Sequence, residues 1–361
     1  MLHYPLKSVR HLLSDAFYFI MTRIHTLIIL LWGAVLITTG CSRTDKLITL
    51  SGEAQGTYYI IRYYDEDNRN FQHEIDSILH DFDQTASLWV EQSTIRKVNG
   101  NTDSVISPLF ADILQKSIDI NRYTDGAFDC RVGKLVQAWG FSFRKQEELN
   151  QQSIDSLLTF SHGDISIDTL EDNSLMLKKS NPSTEIDFNA IAQGYSSDLI
   201  GQYLEQQGIQ SYLVDIGGEV IARGLKDNGE PWTVGVERPA ENKYANPEVE
   251  LAVRLYNCSI VTSGSYRKYY EKDGVKYSHT IDPATGRPVQ HTLLSVSVID
   301  SMAWRADAMA TAYMVMGLDK AKQFISTHSE DPETQAVLFI YSDGDNYKTY
   351  ATPAFNKHII E

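Results

Sequence analysis

The sequence is poor in cysteine and in positive charge, and it lacks the common nucleotide and hydrolase motifs. Of its 361 residues three are cysteine, and 47 acidic residues outnumber 32 basic ones, which gives a formal net charge of −15. Nucleic-acid binders carry a basic face, so this balance argues against a nucleic-acid partner. The absence of G-x-G-x-x-G, H-E-x-x-H and G-x-S-x-G disfavours a conventional kinase, dehydrogenase, zinc protease or α/β-hydrolase.

A signal peptide is predicted over residues 1–40. Residues 24–39 (IHTLIILLWGAVLITT) are almost wholly apolar, follow Arg23 and end at Gly40-Cys41. The run is too short to span a bilayer, and a basic start with a small residue before the processing site is typical of an exported chain. An uncleaved anchor helix is the alternative interpretation.

The cysteine after this run indicates a lipoprotein. Its setting resembles a lipobox, although Thr38 stands where Leu is usual. We expect Cys41 to be lipidated, residues 41–50 to form a tether, and the fold to occupy residues 51–361. Because the first twenty residues are polar and mixed, we interpret them as an over-extended start and Met21 as the true one.

The remaining cysteines, Cys130 and Cys258, would meet an oxidising compartment after export. They could pair or remain free, and the sequence leaves both possibilities open. With so few cysteines, stability must come from a hydrophobic core.

Hydrophobic periodicity predicts an α+β fold with mostly antiparallel strands. Helices are expected from about Phe71 and over residues 109–123, 150–164, 187–207 and 302–316, with Gly208 just past the end of the fourth. Strands are expected at residues 57–64 and at SYLVDIGG, EVIARGL, WTVGVERP, VELAVRLYN and LLSVSVID, with a last hairpin at Asp343-Gly344.

Two helices carry polar residues that suit a phosphate ligand. Asp307 and Thr311 lie one turn apart on one face, and two hard oxygens at that spacing suit Mg²⁺. Alone the pattern is weak, because Thr can bond its own helix and Asp can be solvated. Asp187 is expected at or just before a helix start, where free amides favour anions, or else as a simple N-cap.

The segment YSHTIDPATGRP, residues 277–288, predicts a turn at Asp282-Pro283 to Gly286. His279 precedes this turn. An isolated histidine beside a hairpin is the default interpretation.

These segments together resemble the ApbE family, the FAD:protein FMN transferases. The resemblance covers about residue 53 to the C-terminus and includes Gln55-Gly56-Thr57, ASLWVEQSTIRKVN, GAFDCRVGKLVQAWGF, IDFNAIAQGYSSDLI, YLVDIGGEV, TSGSYRKYY, YSHTIDPATGRPV and ADAMATAYMVMG. It implies a two-lobed α+β fold with FAD in the groove between lobes. It also implies Mg²⁺-dependent transfer of FMN from FAD to a Thr or Ser hydroxyl, with release of AMP.

The resemblance also implies a location, partners and site residues. Many members are lipid-anchored at the extracytoplasmic side of the envelope, and known targets include Nqr and Rnf subunits. It assigns the base to His279, the cation to Asp307, Thr311 and the main-chain carbonyl of Ala190, and FAD to Gln55, Trp89, Ala127, Phe128, Asp129, Asp187, Gln193 and Ile281. Ser263, Tyr266 and Arg267 are weaker candidates for substrate contacts.

Three positions depart from the family pattern. Ala310 stands where some members have a second aspartate, Gln55 where Met is usual, and Gln193 where Lys or Glu is usual. An FAD pyrophosphatase and a non-catalytic, lipid-anchored FAD-binding protein are the alternative functions. A core role is the alternative for Trp89.

Overall fold

An antiparallel sheet of eight strands forms the centre of the described fold, and its strands lie side by side in the order in which they occur in the sequence. The computed structural model describes residues 46–142, 148–239, 248–265, 269–272, 275–328, 335–344 and 346–360. The predicted signal peptide, Cys41, Tyr266 and Arg267 lie outside these residues. The chain from Asp45 to Glu361 forms one unit.

The strands of the central sheet come from the whole length of this unit. They are β1 (Lys46–Ala54), β2 (Thr57–Asp65), β6 (Tyr212–Ile216), β7 (Glu219–Arg223), β10 (Cys258–Gly264), β15 (Leu293–Asp300), β16 (Ala336–Asp343) and β17 (Asn346–Ala351). Smaller sheets contain β3 (Val105–Ile106), β4 (Ile165–Thr169) and β5 (Leu175–Lys179), then β8 (Trp232–Glu237) with β9 (Val249–Leu255), β11 (Tyr269–Lys272) with β12 (Val275–Ser278), and β13 (Ile281–Asp282) with β14 (Arg287–Pro288).

Helices lie between these strands. Within the described residues they are α1 (Gln72–Ala86), α2 (Thr94–Asn99), α3 (Pro108–Tyr123), α4 (Gly133–Ala138), α5 (Gln151–Ser161), α6 (Ala192–Gln206), α7 (Ala303–Met316), α8 (Leu318–His328) and α9 (Pro353–Asn356). In this part of the chain no helix is both long and apolar enough to cross a membrane.

Both faces of the central sheet are covered by hydrophobic clusters. Because successive side chains of a strand point to opposite faces, neighbouring residues of one strand belong to different clusters. On β6, Val214 belongs to the large core cluster that includes residues of the helices, whereas Leu213 belongs to a second cluster with β8 and β9. On β16, Phe339 and Leu338 divide between the two clusters in the same way. Cys130 and Cys258 are buried free thiols, so the core does not depend on a disulfide between them.

The α+β prediction is confirmed, as are the predicted helices that correspond to α1, α3, α5 and α7. Gly208 follows the end of α6 with φ of +83°, the left-handed conformation that favours glycine at this position. The turn after β13 is also confirmed, because the Gly286 amide donates to the Asp282 carbonyl at 2.8 Å.

Two boundary predictions are wrong. The helix expected from Asp187 begins at Ala192. A turn precedes it, in which the Asn189 amide donates to the Asp187 carboxylate and the Ala192 amide donates to the Phe188 carbonyl. The tether predicted for residues 41–50 is wrong for residues 46–50, which pair with β2 as the first half of β1.

Candidate functional site

Helices α6 and α7 approach each other closely at Gly194. A β-carbon at Gly194 would lie 2.4 Å from the Ala303 carbonyl oxygen and 2.8 Å from the Asp307 β-carbon, so only glycine fits. The Gly194 amide donates to Asp307 Oδ2 at 3.0 Å. This contact places Asp307 next to the first turn of α6, which includes Gln193. Ala190 belongs to the turn that comes just before this helix in the chain.

Two of the three predicted cation ligands, Asp307 and Thr311, lie one turn apart on α7. Asp307 is 6 % exposed, and the Thr311 hydroxyl, one turn later, lies 3.3 Å from the Ser263 hydroxyl at the end of β10. No group of three or more His, Cys, Asp or Glu side chains in the described ranges could hold a metal ion. The predicted donors are instead a carboxylate, a hydroxyl and a main-chain carbonyl, and hard oxygen donors of this kind fit Mg²⁺ better than a transition metal.

Asp187 lies beside the predicted FAD segment Ala127 to Asp129. Its amide donates to the Cys130 carbonyl at 2.7 Å, and its Oδ1 accepts the Asn189 amide at 2.8 Å. Asp187 is 5 % exposed and its Oδ2 has no hydrogen-bond partner within the protein. Burial raises the pKa of Asp187 to about 6, against the lowering effect of the Asn189 bonds. A buried, unpartnered carboxylate oxygen is a ready acceptor for a ligand N–H or O–H.

Gln55 and Gln193 are the two unusual glutamines, and both lie near the ends of strands of the sheet. Gln55 occupies the β1–β2 turn with φ of +54°, and its side-chain Oε1 and Nε2 atoms are buried without hydrogen-bond partners. Gln193 lies close to Gly217 in the β6–β7 turn, where an added β-carbon would be 2.7 Å from Gln193 Nε2 and from Thr57 Cγ2. Thr57 is the first residue of β2 and follows Gln55-Gly56 directly, so the β1–β2 turn and the β6–β7 turn lie side by side.

His279 and Ile281 belong to another cluster, built around α4. The His279 ring meets the Phe141 ring edge-on at a centroid distance of 6.4 Å. The Ile281 side chain is 6 % exposed and packs with Leu135 and Trp139. The Gly133 amide at the start of α4 donates to the Glu185 carbonyl, which places this cluster beside the segment that leads to Asp187.

Trp89 is exposed, which excludes the alternative that it is a core residue. It follows α1 with 66 % of its surface accessible. An exposed indole presents a flat apolar face on which a ring of a ligand can stack.

Replacement of Trp89 with alanine is expected to weaken FAD binding about tenfold, because stacking of a ring on an aromatic side chain contributes roughly 1–3 kcal/mol. The free energy of unfolding should change by no more than about 0.5 kcal/mol, since the side chain is exposed. Flavin fluorescence titration and thermal melting measure the two quantities. Tyr256→Ala is the matched control, because Tyr256 is 55 % exposed and is not a predicted site residue; equal affinities in both variants would contradict the assignment.

Sequence reasoning missed Asp198, which lies on α6 one turn beyond Gly194. It is 3 % exposed, and its two oxygens accept the Ala303 and Trp304 amides at the start of α7. Burial raises its pKa to about 6. No local pattern reveals this role, because the bonded residues are more than a hundred positions apart in the chain. A separate cavity of about 460 Å³ between β1 and α1 is lined by none of the predicted site residues.

The predicted residues thus supply hard oxygen donors on α7, a buried unpartnered acceptor at Asp187 and an exposed aromatic ring at Trp89, and these groups suit a metal-assisted reaction of a phosphate-containing ligand. Comparison with known proteins agrees with this class. The ApbE family model matches residues 55–338. The FAD:protein FMN transferase of Vibrio cholerae is 33 % identical over 330 residues, which is 90 % of this chain and 96 % of the relative.

Solved structures show the same similarity. The flavin transferase ApbE from Vibrio cholerae superposes with a TM-score of 0.74 at 31 % identity, covering 87 % of this chain and 99 % of the other. The apo flavinyl transferase ApbE of Pseudomonas stutzeri gives a TM-score of 0.74 at 30 % identity, covering 87 % and 96 %. The chain belongs to the ApbE family.

Proposed function

We propose that this chain is an FAD:protein FMN transferase, which moves the FMN half of FAD onto a Thr or Ser hydroxyl of a target flavoprotein and releases AMP. Similarity to named transferases over nine-tenths of the chain carries the proposal. The packing of Asp307 against the start of α6 supports it, because the Gly194 amide, four residues after the proposed ligand Ala190, donates to Asp307 Oδ2.

Asp307, Thr311 and the carbonyl of Ala190 would hold Mg²⁺ in this proposal. The ion would neutralise charge on the pyrophosphate and on the departing AMP phosphate. The bond from the Gly194 amide fixes one oxygen of Asp307, and the Ser263 hydroxyl lies beside that of Thr311. These contacts orient two of the ligands before the substrate arrives, which reduces the cost of assembling the site.

The nucleotide would be held by groups whose polar atoms are buried without a protein partner. Asp187 Oδ2 would accept a hydrogen bond from it, and the Gln55 side chain can both donate and accept. Trp89 offers a flat exposed surface for a ring of FAD. Gln193 lies next to the β6–β7 turn and would contact the nucleotide from the same side as Gln55.

In the chemical step, the oxygen of the target hydroxyl attacks the phosphorus of the FMN half, and the bond from that phosphorus to the bridging oxygen breaks. The bridging oxygen leaves with AMP. His279 would accept the proton of the attacking hydroxyl, because imidazole exchanges protons near neutral pH. Its ring is packed edge-on against Phe141, which restricts its orientation.

Replacement of His279 with glutamine is expected to lower the rate of FMN transfer by about 10²- to 10⁴-fold, because general-base catalysis contributes on that order. FAD affinity should be unchanged, since the residue acts on the acceptor. Single-turnover transfer and flavin fluorescence titration separate the two effects. His358→Gln is the control, because His358 lies near the C-terminus and bonds the Arg254 carbonyl; transfer at the normal rate in His279→Gln would remove it as the base.

The decisive experiment incubates the purified chain with FAD, Mg²⁺ and a candidate acceptor and measures the intact mass of the acceptor. A mass increase equal to one FMN, lost when Mg²⁺ is chelated, is the expected result. Free FMN and AMP with an unmodified acceptor would instead indicate an FAD pyrophosphatase. FAD that stays intact for hours would indicate a binding protein.

The proposed acceptors are flavoproteins of the Nqr or Rnf type, met at the extracytoplasmic side of the cell envelope. The sequence features that support this location are the apolar run at residues 24–39 and Cys41, the expected lipid attachment site. Metabolic labelling with a fatty acid tests it: the wild type should incorporate label and Cys41→Ser should not.

A further inference from the structure

We propose that Asp198 is a positioning residue for the cation site, because Asp198 and Asp307 cap each other's helices. The placement of Asp307 then depends on a carboxylate that would not itself touch the metal or FAD. The inference rests on the proposed function for the identity of the ion, and on the geometry of α6 and α7 for the rest.

Neither helix provides its own N-terminal cap. The residue before α6 is Ile191 and the residue before α7 is Met302, and neither makes a side-chain cap. The first amides of a helix have no acceptor within the helix, and a buried helix end needs acceptors from elsewhere.

Each helix obtains its acceptor from an aspartate on the other helix. Asp198 of α6 accepts the Ala303 amide at 3.1 Å and the Trp304 amide at 2.8 Å. Asp307 of α7 accepts the Gly194 amide at 3.0 Å. Both carboxylates are at least nine-tenths buried, and negative charge beside the amino end of a helix is favourable.

The spacing makes the arrangement reciprocal. Asp198 follows Gly194 by four residues on α6, and Asp307 follows Ala303 by four residues on α7, so each carboxylate lies one turn beyond the backbone that the other helix contacts. The Ala303 carbonyl fills the space that a side chain at Gly194 would need. A shift of α7 that breaks the Asp198 bonds must therefore also move Asp307.

This coupling reaches both predicted side-chain ligands. Thr311 lies one turn beyond Asp307 on the same helix, so the position of its hydroxyl relative to Ala190 follows the same docking of α7 on α6. Asp198 thus acts on the cation through backbone amides and helix position, in the way that outer residues orient metal ligands elsewhere.

The test compares Asp198→Asn with wild type and with Asp300→Asn. The Asp198→Asn change keeps the side-chain volume but turns an NH₂ group toward one of the two amides. Asp300 is the matched control, because it caps the same helix end through the Met302 amide at 3.0 Å and makes an ion pair with Arg305. Mn²⁺ binding to each purified chain in saturating FAD is measured by electron paramagnetic resonance, well below the melting temperatures.

We expect both variants to melt earlier, but only Asp198→Asn to bind Mn²⁺ more weakly, by roughly tenfold or more. In FMN transfer the Mg²⁺ concentration for half-maximal rate should rise in Asp198→Asn, while the rate at saturating Mg²⁺ is retained. If Asp198→Asn fails to fold, Asp198→Ser, which keeps a smaller acceptor, is measured in the same way.

Wild-type Mn²⁺ affinity in a folded Asp198 variant would show that Asp198 has only a structural role. That result would overturn this inference and leave the proposed function unaffected. A wild-type chain that binds no Mn²⁺ would overturn the cation site of the proposed function, and this inference with it.

Discussion

Asp307→Asn is expected to lower the rate of FMN transfer by about 10²- to 10³-fold while the chain keeps its fold. The carboxylate would help to hold the Mg²⁺ that stabilises charge on the reacting phosphate, and loss of one such electrostatic contact costs on that order. Asparagine is the informative replacement, because its amide oxygen can still accept the Gly194 amide that Asp307 Oδ2 accepts at 3.0 Å. Alanine would leave that buried amide without its acceptor, and would mix loss of stability with loss of metal binding.

Transfer rates, the Mg²⁺ dependence of the rate and the melting temperature together check this expectation. Asp319→Asn is the control, since Asp319 is an exposed acid at the start of the next helix, α8. Transfer at the wild-type rate in Asp307→Asn would refute the cation assignment.

Asp187→Asn is expected to raise the stability of the substrate-free protein while it weakens FAD binding. Burial raises the pKa of Asp187 from the ordinary value of 3.8 to about 6. Because the folded-state pKa lies above the unfolded-state value, the wild type loses stability as pH rises from about 4 to about 6. This loss amounts to roughly 2–3 kcal/mol and persists at higher pH.

The variant lacks this titration, so its stability relative to wild type should increase across that pH window and stay constant above it. Denaturant unfolding at pH 4, 5, 6 and 8 measures the difference. Asp119→Asn, at an exposed position on α3, is the control. A constant difference between Asp187→Asn and wild type from pH 4 to pH 8 would contradict the argument.

Opposite directions of the two effects would identify Asp187 as a ligand-binding residue. An unpartnered buried oxygen destabilises the protein unless a ligand supplies its hydrogen bond. A residue retained for packing would lower stability when replaced and leave FAD affinity unchanged.

Local pattern was sufficient for most helices and for the α+β class. Helical spacing of apolar residues, Gly208 at a helix end and the Asp282 turn all act within a few residues of one another, so the sequence displays them directly. The family resemblance then selected His279, which spacing alone did not distinguish.

The features that were missed depend on distant contacts. The first half of β1, predicted as a tether, is defined as a strand by its pairing with residues 61–65 of β2 at the edge of the sheet. The helix predicted from Asp187 begins later because the Asp187 side chain accepts the Asn189 amide and forms a turn, and the periodicity of apolar residues does not reveal such a bond. Asp198 was missed because its partners are on another helix.

The strand order of the central sheet has a consequence for how the chain folds. The β1–β2 hairpin pairs on its inner side with β6, so residues 57–65 gain their second neighbouring strand only when residues 212–216 join the sheet. Pairings this distant in sequence slow folding, because the entropy of closing the intervening loop is lost before the contacts form. Since the turn of that hairpin carries Gln55 and α7 carries Asp307, a chain interrupted between them would leave a predicted FAD residue and a predicted cation ligand on separate halves.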